Sequence, residues 1–298
     1  MTGSLLLNAY ETDQVTNRGR NIKDSTEILN QQVNDALREL GRKWRGKRNE
    51  KRFISQVYHK IGGHHWVDRL ERWAMNSDKV EKLGIPRWGS IYSKHPITAS
   101  RVTKFFGVGP TIKLNNQLIG SDKIGHFISQ GKKFNYRWRK TNNEELAAER
   151  SAYTERAIFG QMTTGSYSNA DLVANYEGHR FYRSLFEDEI IPGKESIMLW
   201  NGDRWELRRE FDWADHVNAY WDEGRNINHY HRLLYKHMVV RLKQFCSDYH
   251  NDPNLYFIDG EVPLAEKYAM LQLRPTTELR LYNLCDPAPV ELRLGGLR

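Results

Sequence analysis

The sequence predicts a mainly α, single globular helical domain with two small β-hairpins. Three observations predict it: several segments repeat apolar residues at helical spacing, two short alternating runs flank Asn-Asn and Asn-Gly pairs, and no linker rich in proline, glycine or serine divides the 298 residues. A chain of this length buries a substantial core. With 39% hydrophobic and 28% charged residues it reads as folded rather than disordered. No repeat of roughly 20–50 residues suggests a solenoid.

Residues 1–20 are expected to form a flexible N-terminal segment, and 21–298 the helical domain. The first four residues read as an expression scar, and "LLLNA" fits either the tail of a removed export signal or an ordinary apolar start. "KDSTEILNQQVNDALRELG" is the clearest helix: Asp24 and Glu27 have capping-box spacing, Ile28, Val33, Leu37 and Leu40 recur on one face, and Gly41 fits its end. "NEKRFISQVYHKI" continues helically to Gly62-Gly63. "HHWVDRLERWAM" resumes, with Trp66, Leu70 and Trp73 on one stripe.

"TIKLNNQLIG" predicts a hairpin turning at Asn115-Asn116, and "IMLWNGDRWELRREF" a second at Asn201-Gly202. Helices are expected from about Glu144 to Phe159 and from Ser168 to about Phe186. The remainder, "DWADHVNAYWDE", "YHRLLYKHMVVRLKQFCSDY" and "PLAEKYAML", reads as helical too.

The longest apolar runs fall far short of the roughly 18 residues a membrane-spanning helix needs, so no transmembrane segment is expected. The formal net charge is +8, and "RKWRGKRNEKR" supplies much of it. No recognisable nucleic-acid-binding motif follows that cluster, which instead suits a solvated helix end or peripheral contact with anionic lipid or cell-wall polymer. Cys246 and Cys285 are the only cysteines and lack CxxC spacing, which excludes a zinc-thiolate site. They fit either a single disulfide, which needs an oxidising compartment, or two buried free thiols.

"GSDKIGHFISQG" sets polar residues in an otherwise apolar helix. Asp122, His126 and Gln130 stand four residues apart and share one face, with Lys123 beside them. Downstream, Glu155 lies on a helix running to Gln161. Ser168 and Asp171 have capping-box spacing, and Asp171, Asn175 and Gly178 again share a face. Converging helices would bring Asp122, Glu155 and Asp171 beside the His126 imidazole. Carboxylates that close require a compensating cation or protons.

The ordered pattern Asp122-Lys123-x-x-His126-Phe127, Glu155, Gln161, Gly165, Ser168, Asp171, Asn175, Gly178 resembles that of the VanZ-like family, which is associated with the bacterial cell envelope and glycopeptide tolerance. The window spans Asp122 to Gly178. That family places these motifs on transmembrane helices, whereas the segments here are too polar to span a bilayer. The stretches "VYHKIGGHHWVDRLERWAM", "ADLVANYEGHRFYRSLF" and "FDWADHVNAYWDE" also resemble a group of exported proteobacterial proteins, which implies a periplasmic location.

Three chemistries fit these residues. A divalent metal held by the histidine and carboxylates would make a hydrolase, with His64-His65, Asp68 and Asp215-His216 as further ligand candidates. Metal-free acid/base work or phosphate binding would use Asp122 to orient His126, with Lys123 and nearby basic groups meeting a phosphorylated or lipid-linked ligand. For the centre as a whole the catalytic candidates are Asp122, His126, Glu155 and Asp171, and the ligand-binding candidates Lys123, Gln130, Gln161, Ser168 and Asn175. A satisfied polar network would instead specify helix packing. Because no recognised catalytic motif occurs, the sequence favours a periplasmic interaction or adaptor protein for an envelope machine, such as a cell-wall or secretion assembly. The alternative is a metal-dependent or acid/base hydrolase of peptidoglycan or an envelope lipid.

Overall fold

A computed structural model describes residues 11–63, 67–95, 107–156 and 165–287. The expected mainly α architecture is found, with strands confined to sheets of two or three. Three helices lead: α1 (Thr26–Lys43), α2 (Glu50–Ile61) and α3 (Arg69–Asn76). Asn49 caps α2 by accepting from the Arg52 amide, but α1 has no side-chain cap at Ser25; Asp24 instead binds the Thr26 amide and hydroxyl.

Gly41 does not end α1. It lies inside the helix, where a Cβ would stand 2.5 Å from the carbonyl oxygen of Trp205, so its smallness serves packing rather than termination.

Both expected hairpins form. β4 (Thr111–Leu114) and β5 (Gln117–Gly120) turn at Asn115 and Asn116, both at positive φ, and β2 (Lys82–Leu83) adds a third strand. β7 (Met198–Trp200) and β8 (Trp205–Leu207) turn at Asn201-Gly202. Two further pairs were not foreseen: β1 (Glu11–Thr12) with β3 (Val108–Gly109) in parallel, and β6 (Ser166–Tyr167) with β9 (His229–Tyr230). The β1 pairing builds residues 11–20 into the molecule. Asp13 and Gln14 are buried there, and Arg18 clasps Asp222 through two bonds of 2.9 and 2.5 Å.

One continuous helical run then carries α4 (Asp122–Gly125), a π-helical turn (His126–Gln130) and α5 (Gly131–Thr141). It packs with α6 (Glu144–Thr154) and with α7 (Asn169–Ser184), which is capped by the Ser168 hydroxyl accepting from the Asp171 amide. Of the sixteen residues of α7, all but Arg180 and Arg183 are buried, making it the central helix. Gly178 permits the crossing: a Cβ there would strike the Phe127 carbonyl and the Gly131 backbone.

"DWADHVNAYWDE" does not form a helix. Asp212 and Asn218 each accept from a backbone amide two residues on, at Ala214 and Tyr220, and so break the stretch into two 3-10 turns (Trp213–Asp215 and Ala219–Trp221). The C-terminal part adds α8 (Arg232–Leu242), α9 (Cys246–Asn251), α10 (Glu261–Lys267) and α11 (Leu281–Cys285). A main core centres on Leu37, Phe53, Phe127, Phe181, Trp213 and Trp221. A second packs under α8, on Leu234, Met238, Leu242 and Leu279. The Cys246–Cys285 disulfide closes this second unit. Among the described residues no helix is long and apolar enough to cross a membrane.

Candidate functional site

The polar row and its expected partners converge. Lys123, which helical geometry alone would point away from the Asp122–His126 face, reaches inward as the central cation. Its ammonium lies 2.8 Å from Asp122 Oδ2, 2.5 Å from Asp171 Oδ1 and 2.9 Å from Glu223 Oε1, and its side chain is 2% exposed. Asp171 Oδ2 is 3.1 Å from His126 Nε2, and Asp122 Oδ1 is buried with no hydrogen-bond partner among the described residues.

Asp122, His126 and Asp171 each offer one ligand atom, and these three atoms lie within 4.8 Å of one another, a group that could hold a metal ion. Two ligand atoms sharing a cation at about 2.1 Å stand roughly 3.0–3.4 Å apart, the range in which His126 Nε2 and Asp171 Oδ2 already sit. The other ring nitrogen, Nδ1, lies 3.1 Å from Asn175 Oδ1, while the Asn175 amide donates to Ser151 Oγ at 3.2 Å. A carbonyl oxygen holding Nδ1–H fixes the tautomer that leaves Nε2 to ligate, the arrangement found behind metal-bound histidines. The His126 side chain is 20% exposed, so solvent reaches the group.

The π-helical turn explains why the row is not a simple helical face. It begins at His126, its wider turn shifts the following residues, and Tyr182 donates a hydrogen bond to its Ile128 carbonyl. Ser129 consequently donates to Asp68 at 2.8 and 2.6 Å, whereas no described hydrogen bond joins Gln130 to the centre.

Glu155 contributes from the C-terminal end of α6, accepting from the Ser168 amide at 3.2 Å. Ser168 in turn donates to Glu223 at 2.6 Å, so its hydroxyl serves both cap and centre. Gln161, His64 and His65 lie outside the described residues. Asp215 and His216 are not part of this centre: His216 binds Glu177, and Asp215 binds Lys194.

Acid outnumbers base here, and proton affinities respond. Burial, partly offset by Lys123 and aggravated by Asp171, lifts Asp122 to about 6. Burial lifts Asp68 to about 6 as well. Burial, with the neighbouring Asp171 carboxylate, raises Glu155 well above its ordinary range, and Glu71 rises through burial, Asp122 and Asp68. Burial works against Asp171 too, but the neighbouring His126 ring and the Lys123 ammonium prevail and hold it below its usual value.

Sequence reasoning missed Glu223, Glu71 and the supports Thr12, Asn228 and Ser129. Thr12 and Asn228 donate to Glu223 at 3.0 and 3.1 Å. The available signals were the Asp68-x-x-Glu71 spacing on α3 and the acidic pair Asp222-Glu223 before Gly224 in an aromatic loop. No protein-family model matches the chain, and comparisons with curated proteins and with solved structures found no match.

Proposed function

We propose that the chain is a divalent-metal-dependent hydrolase of the cell envelope, acting on peptidoglycan or an envelope lipid. The observation that carries this reading is the grouping of Asp122, His126 and Asp171, each with one ligand atom within 4.8 Å of the others, while Lys123 binds Asp122 Oδ2 and Asp171 Oδ1 and leaves Asp171 Oδ2 facing His126 Nε2 at 3.1 Å. One imidazole with two carboxylates suits a hard or borderline ion such as zinc or manganese. A bound ion of this kind supplies a Lewis acid and water of lowered pKa.

The chain's own groups provide the rest. Asn175 orients the imidazole. Lys123 holds both aspartates in place and offsets part of their charge. Asp68, lifted to about 6, and Glu155 and Glu71, which burial raises well above their ordinary range, supply carboxyl groups that can hold and return a proton. A partly open histidine and a buried Asp122 oxygen without a hydrogen-bond partner among the described residues favour this reading over the adaptor role, which a closed, fully bonded network would suit better. The Cys246–Cys285 bond supports an oxidising compartment such as the periplasm.

The test is hydrolysis of labelled peptidoglycan and envelope lipid by protein purified without chelator, alongside His126→Ala and Asp171→Asn. The reading expects turnover that chelator abolishes and divalent metal restores, and that both substitutions remove while the variants stay folded. A metal-free protein whose His126→Ala variant loses more than about 2 kcal/mol of stability would contradict it and restore the adaptor.

A further inference from the structure

The solvent face of α5 is basic. Lys133, Tyr136, Arg137 and Lys140 follow i, i+3, i+4, i+7 and share one side, opposite the buried Phe134 and Asn135. Lys133 and Lys140 are exposed, and Tyr136 is 51% exposed with the Lys140 ammonium 4.5 Å from its ring centre. Arg137 donates to Thr154 Oγ1 at 3.2 Å, joining this face to α6, where Arg150 is exposed and Tyr153 is 61% exposed. The hairpin's exposed acids, Glu145 and Glu149, both sit on α6; the α5 stripe carries none.

These cations crowd one another. Burial and then the charge of Arg150 weaken the hold of Arg137 on its proton; burial and then Arg137 do the same at Lys133, where the Asp68 carboxylate works the other way. A face that keeps like charges together beside half-exposed tyrosines is complementary to an anionic interface, where phosphates meet Lys and Arg and tyrosine rings sit at headgroup depth.

We infer that the α5–α6 face docks on an anionic lipid surface, with phosphate headgroups at Lys133, Arg137, Lys140 and Arg150 and with Tyr136 and Tyr153 at the interface. This goes beyond the proposed hydrolase and holds whether or not the His126 centre binds metal. The stripe follows His126 on the same helical run, so docking would bring that centre alongside the membrane surface.

Cosedimentation with vesicles of phosphatidylcholine alone, or with about 30% phosphatidylglycerol, tests it. Four basic contacts lead us to expect binding to the anionic vesicles only, falling more than about tenfold between roughly 50 and 500 mM NaCl. The variant K133E/R137E/K140E should lose at least about tenfold. The variant R232E/K236E/K243E, with the same charge change on α8 and the turn after it, should stay within about threefold of the parent. Thermal melts check both folds, and K133Q/R137Q/K140Q replaces the first variant if it unfolds. Equal binding to both vesicle types, binding to neither, or an equal loss in the α8 variant would overturn the proposal.

Discussion

Helix α7 carries two carboxylate centres, and they are built on opposite principles. Near its C-terminal half, Glu177 is fully buried and saturated: His216 Nδ1 lies 3.1 Å away, Tyr268 donates at 2.8 Å, Arg180 at 3.2 and 3.0 Å, and the Lys267 ammonium is 2.7 Å away. Near its N-terminus, Asp171 shares one lysine with Asp122 and Glu223, and Glu155, Glu71 and Asp68 crowd around them. Glu177 is held at about 2, against burial, by His216, Lys267 and Arg180, whereas Asp122 is pushed to about 6. The difference separates a carboxylate that fastens the fold from a set kept short of cations. The second kind is where chemistry or ligand binding is to be sought.

The comparison breaks most readily at Glu177. Glu177→Ala leaves Arg180, Lys267 and His216 without their common partner and should cost about 3–5 kcal/mol in denaturant unfolding, with metal affinity of the surviving fold unchanged. A loss under about 1 kcal/mol would mean the cluster is not the fastening we describe.

Lys123→Met should come next. It leaves three carboxylates without their ammonium, so the loss should be largest near pH 7.5, on the order of 2–4 kcal/mol, and should shrink near pH 5 as protons replace the missing charge. A pH-independent loss would mark Lys123 as packing alone.

The two centres should also give opposite pH responses. Glu177 is depressed in the fold, so its stabilisation is present above its ordinary 4.5 and is lost as pH falls toward about 2. Asp122 and Asp68 are raised from 3.8, so their contribution is full below 3.8 and is lost as pH rises through about 6. Melting curves of the metal-free protein should therefore place maximum stability near pH 4 for these groups. In Glu177→Gln the acid-side decline should flatten, and in Asp68→Asn the neutral-side decline should. Unchanged slopes in both would refute the assignment.

The smallest effect sharpens the contrast. Asp122→Asn keeps the volume and an acceptor for Lys123 while removing a charge the fold resists, so it should stabilise the metal-free protein at pH 7.5 by about 1 kcal/mol and abolish metal binding. Destabilisation would show that Asp122 is satisfied after all.

Local chemistry made much of the fold legible. The Asn115-Asn116 and Asn201-Gly202 turns were readable because their residues tolerate positive φ, and α1, α2 and α7 because apolar periodicity survives in a half-buried or buried helix. Gly41 misled because a glycine chosen for tertiary contact looks like one chosen to end a helix. Asp212 and Asn218 misled because their side chains compete with the helical ladder, which periodicity does not register. In the site, Asp122, Lys123, His126, Glu155, Ser168, Asp171 and Asn175 could be named beforehand because they lie within one window. Glu223 and Glu71 could not, since only tertiary packing brings a distant loop and α3 to Lys123 and Gly125.

The central claim is that the acid-rich end of α7 is short of a cation. Thermal melts of chelator-stripped protein at about pH 7.5 and 5, with and without zinc or manganese, test it most directly. The account predicts a rise of about 5 °C or more at pH 7.5 when metal exceeds its Kd about 100-fold, a smaller rise at pH 5 where protons compete, and none in His126→Ala. No shift with either ion at pH 7.5, or the same shift in His126→Ala, would contradict it.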